Sequence, residues 1–193
     1  MCIRDSPFAV QVTENIKNAC EKTTTKYIRI KRDKENYNLV NREKVRSAGS
    51  AEEAAIILSA PCYKNKKVLL TTGSKTVGVY SHLEGFKDNY YLRMLPNVQM
   101  LGEVLQSGIK NSNVICMQGP FSENMNYEMI KNYGIEVMVT KNSGNTGGTQ
   151  EKINAAMRAG TEVIIIEDTG SDECIGIGSV SYTHLRAHET DQY

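Results

Sequence analysis

A chain of 193 residues, 40% hydrophobic and 23% charged, has room for one large or two small globular domains. Its formal net charge of +1 excludes a global field for nucleic acid or an anionic membrane, so any anion recognition has to be local. The apolar runs are too short to span a bilayer and no targeting segment is evident; five scattered cysteines without CxxC spacing point to a reduced cytoplasmic setting, with no zinc site and no disulfide framework.

The two ends read differently from the middle. Met1-Cys2-Ile3-Arg4-Asp5-Ser6 and Ser181-Tyr182-Thr183-His184-Leu185-Arg186-Ala187-His188-Glu189-Thr190 are similar to translated sequencing adapter, so residues 1–6 and 179–193 are expected to be artefact outside the fold. Setting them aside removes His184 and His188 and leaves His82, too little for a histidine metal site or a catalytic triad. From Pro7 the spacing of Phe8, Val12, Ile16, Ala19 and Cys20 predicts a helix with one apolar stripe. Tyr27 to Lys31 alternates as a short strand, and the charged stretch Arg32 to Arg46 has the composition of a surface connection between two lobes. Residues 7–48 are therefore expected to be the remnant of an N-terminal α/β lobe that starts on a helix without its feeding strand, and 49–178 a C-terminal α/β lobe.

In that second lobe Ser50 and Glu53 have capping-box spacing before the apolar Ala54 to Leu58. Five short apolar strands follow at a regular pace: Val68 to Leu70, Tyr90 to Met94, Val114 to Met117, Val137 to Val139 and Val163 to Ile166. Between them Val98, Leu101, Val104 and Leu105 make one helix face, and Ile153, Ala155, Ala156 and Ala159 another. Such an alternation predicts an α/β, Rossmann-like, mostly parallel sheet with helices on both faces.

Chemistry gathers where the strands end. Thr71-Thr72-Gly73-Ser74-Lys75 offers backbone amides, hydroxyls and an ammonium to an anion, although it has neither Walker nor GxGxxG spacing and also suits a plain tight turn. Arg93 can grip a carboxylate or phosphate, or pair with a surface glutamate. In Gln118-Gly119-Pro120-Phe121-Ser122 the glycine permits close approach, Phe121 is either a platform for a flat ligand or a core plug, and Ser122 can cap a helix containing Asn126. The more specific segment is Lys141 to Lys152. There Ser143-Gly144 and Gly147-Gly148 can turn successive amides inward, and Thr149 can cap the next helix. Cys116 reads as core, and Tyr90 and Tyr91 as strand residues without a basic stripe for nucleic acid.

In order, Pro7-Phe8-Ala9, Arg29, Thr71 to Lys75, Arg93-Met94-Leu95-Pro96, Gln118 to Ser122 with Asn126, and Val139 to Lys141 through Ser143-Gly144, Gly147-Gly148, Glu151-Lys152 and Ala155-Ala156 resemble the precorrin-6A reductase family, including its cobalt-precorrin form, from Pro7 to about Glu167. The resemblance implies a cytoplasmic enzyme of cobalamin biosynthesis that uses NADPH or NADH to reduce one double bond of a carboxylate-rich tetrapyrrole, the precorrin. It implies two α/β lobes around the site and an N-terminal glycine-rich cofactor loop that this chain lacks, and where the family has Arg-Pro after Ile166 this chain has Glu167-Asp168. On that basis Thr72, Gly73, Ser74, Ser143, Gly144, Gly147 and Gly148 are expected on the cofactor side, Lys75, Arg93, Gln118, Gly119, Phe121, Ser122 and Asn126 on the macrocycle side, and Lys141 or a water as proton donor. The two sides are interchangeable at this stage, and oligomeric state is open. Two other readings stay open with it: a uroporphyrinogen-III synthase-like enzyme, which needs no nicotinamide, and a non-catalytic nucleotide- or carboxylate-binding module.

Overall fold

The computed structural model describes residues 2–3, 10–25, 27–31, 42–143, 147–167 and 175–176. The chain divides into two compact units, Met1–Glu35 with Gly170–Tyr193, and Asn36–Thr169. In the first, strand β1 (Cys2–Ile3), helix α1 (Val10–Lys22) and strand β2 (Ile28–Lys31) follow one another, and a last strand, Ile175–Gly176, joins the other edge of β2 in a three-stranded parallel sheet. The helix predicted from Pro7 is present as Val10–Lys22, with Pro7, Phe8 and Ala9 outside the described residues, and of its expected stripe Cys20 is buried whereas Ala19 is exposed. A short strand does precede it, formed by Cys2 and Ile3 of the adapter-like segment.

The second unit opens with β3 (Val45–Ala48), which pairs in parallel with the strand at Glu162–Ile166. Val45 and Arg46, expected as the end of the charged connection, belong to this strand instead. The larger unit therefore starts upstream of the expected residue 49, and the reason the strand was hidden is its edge position: of its residues only Ala48 is buried, so no apolar alternation marks it. Helix α2 (Ala51–Leu58) begins on the anticipated box, Ser50 Oγ accepting from Glu53 N at 3.2 Å while Glu53 Oε2 accepts from Gly49 N at 2.6 Å. Then come β4 (Val68–Leu70), the short α3 (Val77–Tyr80) and α4 (Phe86–Asn89), β5 (Tyr90–Met94), α5 (Val98–Gln106), β6 (Val114–Cys116), α6 (Glu123–Tyr133), β7 (Val137–Lys141), α7 (Thr149–Ala159) and β8 (Glu162–Ile166).

The six strands lie in the order β3-β8-β7-β4-β5-β6, every neighbouring pair parallel. Leu69, Met138, Val163 and Ile165 pack with Ile130 of α6 and Ile153, Ala155 and Ala156 of α7 in one continuous cluster. The alternate residues Val68, Leu70, Val137, Val139 and Ile164 are buried too, so helices cover both faces and the strands can be apolar throughout. Some apolar expectations fail in this unit, and Ile56, inside the apolar Ala54 to Leu58, is 70% exposed. Val98, placed on the buried face of α5, is 91% exposed because it opens the helix beyond the sheet, and Cys116, read as core, is exposed at the end of the edge strand β6.

Candidate functional site

From β4 the chain steps outward through β5 to β6, then returns to the other side of β4 with β7 and β8. At such a switch point neighbouring connections leave in opposite directions and hold a crevice open beyond the carboxyl ends of the strands. Here the ends of β4, β5 and β6 and the amino end of α7 enclose a cleft of about 610 Å³.

Thr71 pins the β4 edge of this cleft, its amide and its hydroxyl both donating to Val139 O at 2.9 Å. Gly73 follows with φ +87° and ψ 172°, a conformation that a β-carbon strongly disfavours. The turn is closed by the Thr72 and Thr76 hydroxyls, 2.7 Å apart, and by Thr76 Oγ1 donating to Gly73 O at 3.2 Å.

On β5, Arg93 is only 5% exposed yet lines the cleft. Its Nη1 donates to Asn126 Oδ1 at 2.7 Å, and its guanidinium carbon lies 4.0 Å from the centroid of the Phe121 ring. Asn126, itself buried, is fixed in turn by donating from Nδ2 to Ser122 O at 2.8 Å, and Ser122 Oγ caps α6 by accepting from Met125 N at 3.2 Å. No carboxylate pairs with Arg93 among the described residues, so the surface-glutamate alternative is not realised. Burial lowers its pKa to about 10, which leaves it cationic at neutral pH. Phe121 packs against this cation at the cleft wall, and Gly119 is what admits it: a β-carbon there would stand 3.1 Å from the ring.

The opposite wall is the start of α7. Gly148, not Thr149, is the N-cap, with φ +61°; Thr149 is the first helical residue and instead ties the loop ends together, accepting from Ser143 N at 3.2 Å and donating to Lys141 O at 3.3 Å. A β-carbon on Gly147 would collide with the Ser143 hydroxyl. Behind these glycines Lys152, 8% exposed, donates from Nζ to Gly147 O at 2.8 Å. Burial first, and the Arg93 charge second, lower its pKa to about 8, with Glu151 opposing. Glu151 lines the same cleft, and its buried Oε2 has no hydrogen-bond partner among the described residues.

The cleft thus brings together Thr72, Gly73, Gly147 and Gly148 with Arg93, Gly119 and Phe121. Asn126 and Ser122 stand behind it as supports. Ser74 and Lys75 line a separate groove with Met100 and Glu103, Gln118 is exposed outside the cleft lining, and Gly144 lies outside the described residues. Lys141 and Ser143 are half-buried beside the cleft, and burial, with Lys75 adding to it, holds the Lys141 pKa below the ordinary lysine value. Sequence reasoning left out Lys152 and Glu151 as site residues. The signal for Lys152 was there: Thr149, Lys152, Ile153 and Ala156 are buried at helical i, i+3, i+4, i+7 spacing, so a lysine occupies an apolar stripe.

This donor set fits the phosphates of a nicotinamide cofactor in that Gly147 and Gly148 bare the start of α7 with a lysine beneath, and Phe121 offers a flat surface to either ring. The groups also suit a carboxylated ring. A model of the precorrin-6x reductase family, CbiJ/CobK, matches residues 6–181. The chain belongs to this family.

Among the reductase relatives, the chain is 36% identical over 162 residues to the cobalt-precorrin-6A reductase of Methanothermobacter thermautotrophicus, covering 83% of this chain and 51% of that protein. It is 35% identical to the cobalt-precorrin-6A reductase of Priestia megaterium, with 83% and 61% covered. The chain thus spans between half and two thirds of these relatives. A solved CobK precorrin-6A reductase shares the fold with a TM-score of 0.70 at 22% identity, over 91% of this chain and 66% of that one. Membership of this family sets aside the uroporphyrinogen-III synthase-like reading. No described helix is long and apolar enough to cross a membrane.

Proposed function

We propose that the protein takes part in cobalamin biosynthesis by reducing one ring double bond of (cobalt-)precorrin-6A to give (cobalt-)precorrin-6B, with NADPH or NADH as reductant, in the cytoplasm. The family match over residues 6–181 carries this reading. The cleft agrees with it, since it joins an anion-binding helix start to a cation stacked on an aromatic ring.

In this reading Thr72, Gly73, Gly147 and Gly148 hold the cofactor, together with Ser74, Ser143 and Gly144, and Arg93, Gly119 and Phe121 face the macrocycle, with Lys75 and Gln118 as further contacts to its carboxylates. Asn126 and Ser122 keep Arg93 and Phe121 in place. The bound reduced nicotinamide supplies a hydride to one carbon of the double bond. Phe121 sets the plane of the ring, Arg93 holds carboxylate charge, and the apolar Met94 and Met117 on the cleft wall exclude water. Lys141 or a water gives the proton to the second carbon. Anaerobic assay of the chain with (cobalt-)precorrin-6A tests the reading: nicotinamide absorbance falls as a product two hydrogens heavier accumulates. Turnover that proceeds equally well without any nicotinamide would overturn it.

A further inference from the structure

Two buried cations line the cleft, and neither is in an ion pair among the described residues. Arg93 enters from β5 and Lys152 from α7, each more than nine-tenths buried, and each lowers its free energy by bonding to a neutral oxygen, that of Asn126 and that of Gly147. They are close enough for the Arg93 charge to depress protonation of Lys152. Holding two like charges in a protein interior costs folding free energy, and a neutral residue at either position would avoid it. The third charged group at the cleft, Glu151, offsets the conflict only in part: it favours the charged form of Lys152 but is outweighed by burial and by Arg93, and its own buried Oε2 has no hydrogen-bond partner among the described residues.

We propose that Arg93 and Lys152 form the two sides of one subsite for an anionic oxygen group of the ligand, with Glu151 accepting a hydrogen bond from a donor next to that group. This deepens the reductase reading and rests on it only for the identity of the ligand. Two sources have the required chemistry, a side-chain carboxylate of the tetrapyrrole beside a ring N–H, and a phosphate of the nicotinamide cofactor beside a ribose hydroxyl. Both place an anion and a donor a few atoms apart. An anion here also restores the proton affinity of Lys152, so its binding takes up a proton and weakens as pH rises past about 8 in the free protein, with Arg93 and Glu151 the other charged groups facing that amine.

The test uses the full chain, its variants Lys152→Met, Lys152→Arg and Glu151→Gln, and three probes: uroporphyrin, NADPH and inorganic pyrophosphate, followed by fluorescence for the first two and calorimetry for the third. Loss of one charge-assisted contact lowers affinity about tenfold or more. The subsite is supported when Lys152→Met loses that factor for at least one probe while Lys152→Arg retains most of it, and when Glu151→Gln binds pyrophosphate more tightly. Loss confined to uroporphyrin assigns the subsite to the macrocycle carboxylate, and loss confined to NADPH assigns it to the cofactor phosphate. Pyrophosphate binding that depends on Lys152, with no binding of uroporphyrin or NADPH, leaves the subsite standing and sinks the reductase reading for this chain. Equal affinities of Lys152→Met and the unmodified chain for every probe, or no binding of any probe at millimolar concentration, overturns the subsite.

Discussion

Lys152 is a liability to the fold before it is an asset to the site. A lysine whose pKa falls from 10.5 to about 8 on folding carries a penalty that is full below about pH 8 and vanishes as pH rises through its unfolded value. Lys152→Met is therefore expected to be more stable than the parent at pH 7, by on the order of 3 kcal/mol before the lost bond to Gly147 O is deducted. The difference should close by about pH 10.5, the ordinary lysine value. Urea unfolding at a series of pH values measures this, and a variant that is less stable at pH 7 would contradict it. Gly73 is the opposite case, a residue whose replacement meets no atom at all: nothing lies within 4 Å of an added β-carbon, so only the backbone objects. Gly73→Ala should cost about 1–3 kcal/mol through φ alone and show as a lower unfolding midpoint. Gly73 was legible in the sequence because glycine at a strand end already suggests such a turn. Lys152 was not read as functional, because a lysine near a helix start is ordinarily a solvated side chain and only its place in the stripe with Thr149, Ile153 and Ala156 says otherwise.

Among the elements, those with their own local signal were readable to within a residue or two. Helix α2 carries its cap, β5 its aromatic and aliphatic residues around Arg93, and α6 its Ser122, and each was expected where it stands. Ser50→Ala removes the acceptor for Glu53 N and should cost about 1 kcal/mol, seen as a shifted urea midpoint with an unchanged slope. An unchanged midpoint would mean that the Glu53 carboxylate on Gly49 N holds the helix start unaided. What could not be read was set by neighbours rather than by the segment itself. Strand β3 exists because β8 offers it an edge, and its own Val45-Arg46-Ser47-Ala48 has little apolar pattern. Thr149 likewise reads as a cap from residue type, yet Gly148 takes that role once its φ turns positive, which frees the threonine hydroxyl for the loop.

Across the larger unit, the parallel sheet separates stability from chemistry by its two ends. At the amino end of β8, Glu162 accepts from Tyr63 and from Arg46 Nε, the latter at 2.8 Å, with Lys66 Nζ 3.8 Å away. Burial raises the Glu162 pKa, but the bonds from Tyr63 and Arg46 outweigh it, and the carboxyl stays below its ordinary value. A depressed carboxylate stabilises the fold above its unfolded pKa and loses that contribution as pH falls through the folded value. Glu162→Gln should therefore lose stability at pH 7, lose progressively less as the pH drops below the usual carboxylate range, and leave the affinity for ligands in the cleft unchanged. Parallel measurements of unfolding and of NADPH or uroporphyrin binding check both halves; weakened binding in this variant would mean that the two ends are coupled. The position of the cleft followed from strand order, which single segments do not reveal, although the polar glycine-bearing strand ends had marked its rim.

The bond from Thr149 has a consequence of its own for how a ligand meets this cleft. By joining Ser143 N and Lys141 O to the first residue of α7, it orders both ends of the glycine loop ahead of any encounter. The entropy of arranging those ends is spent when the chain folds, so it is not charged against association. A cleft prepared in this way discriminates by shape at first contact, and a ligand that does not match finds little freedom in those ends to accommodate it.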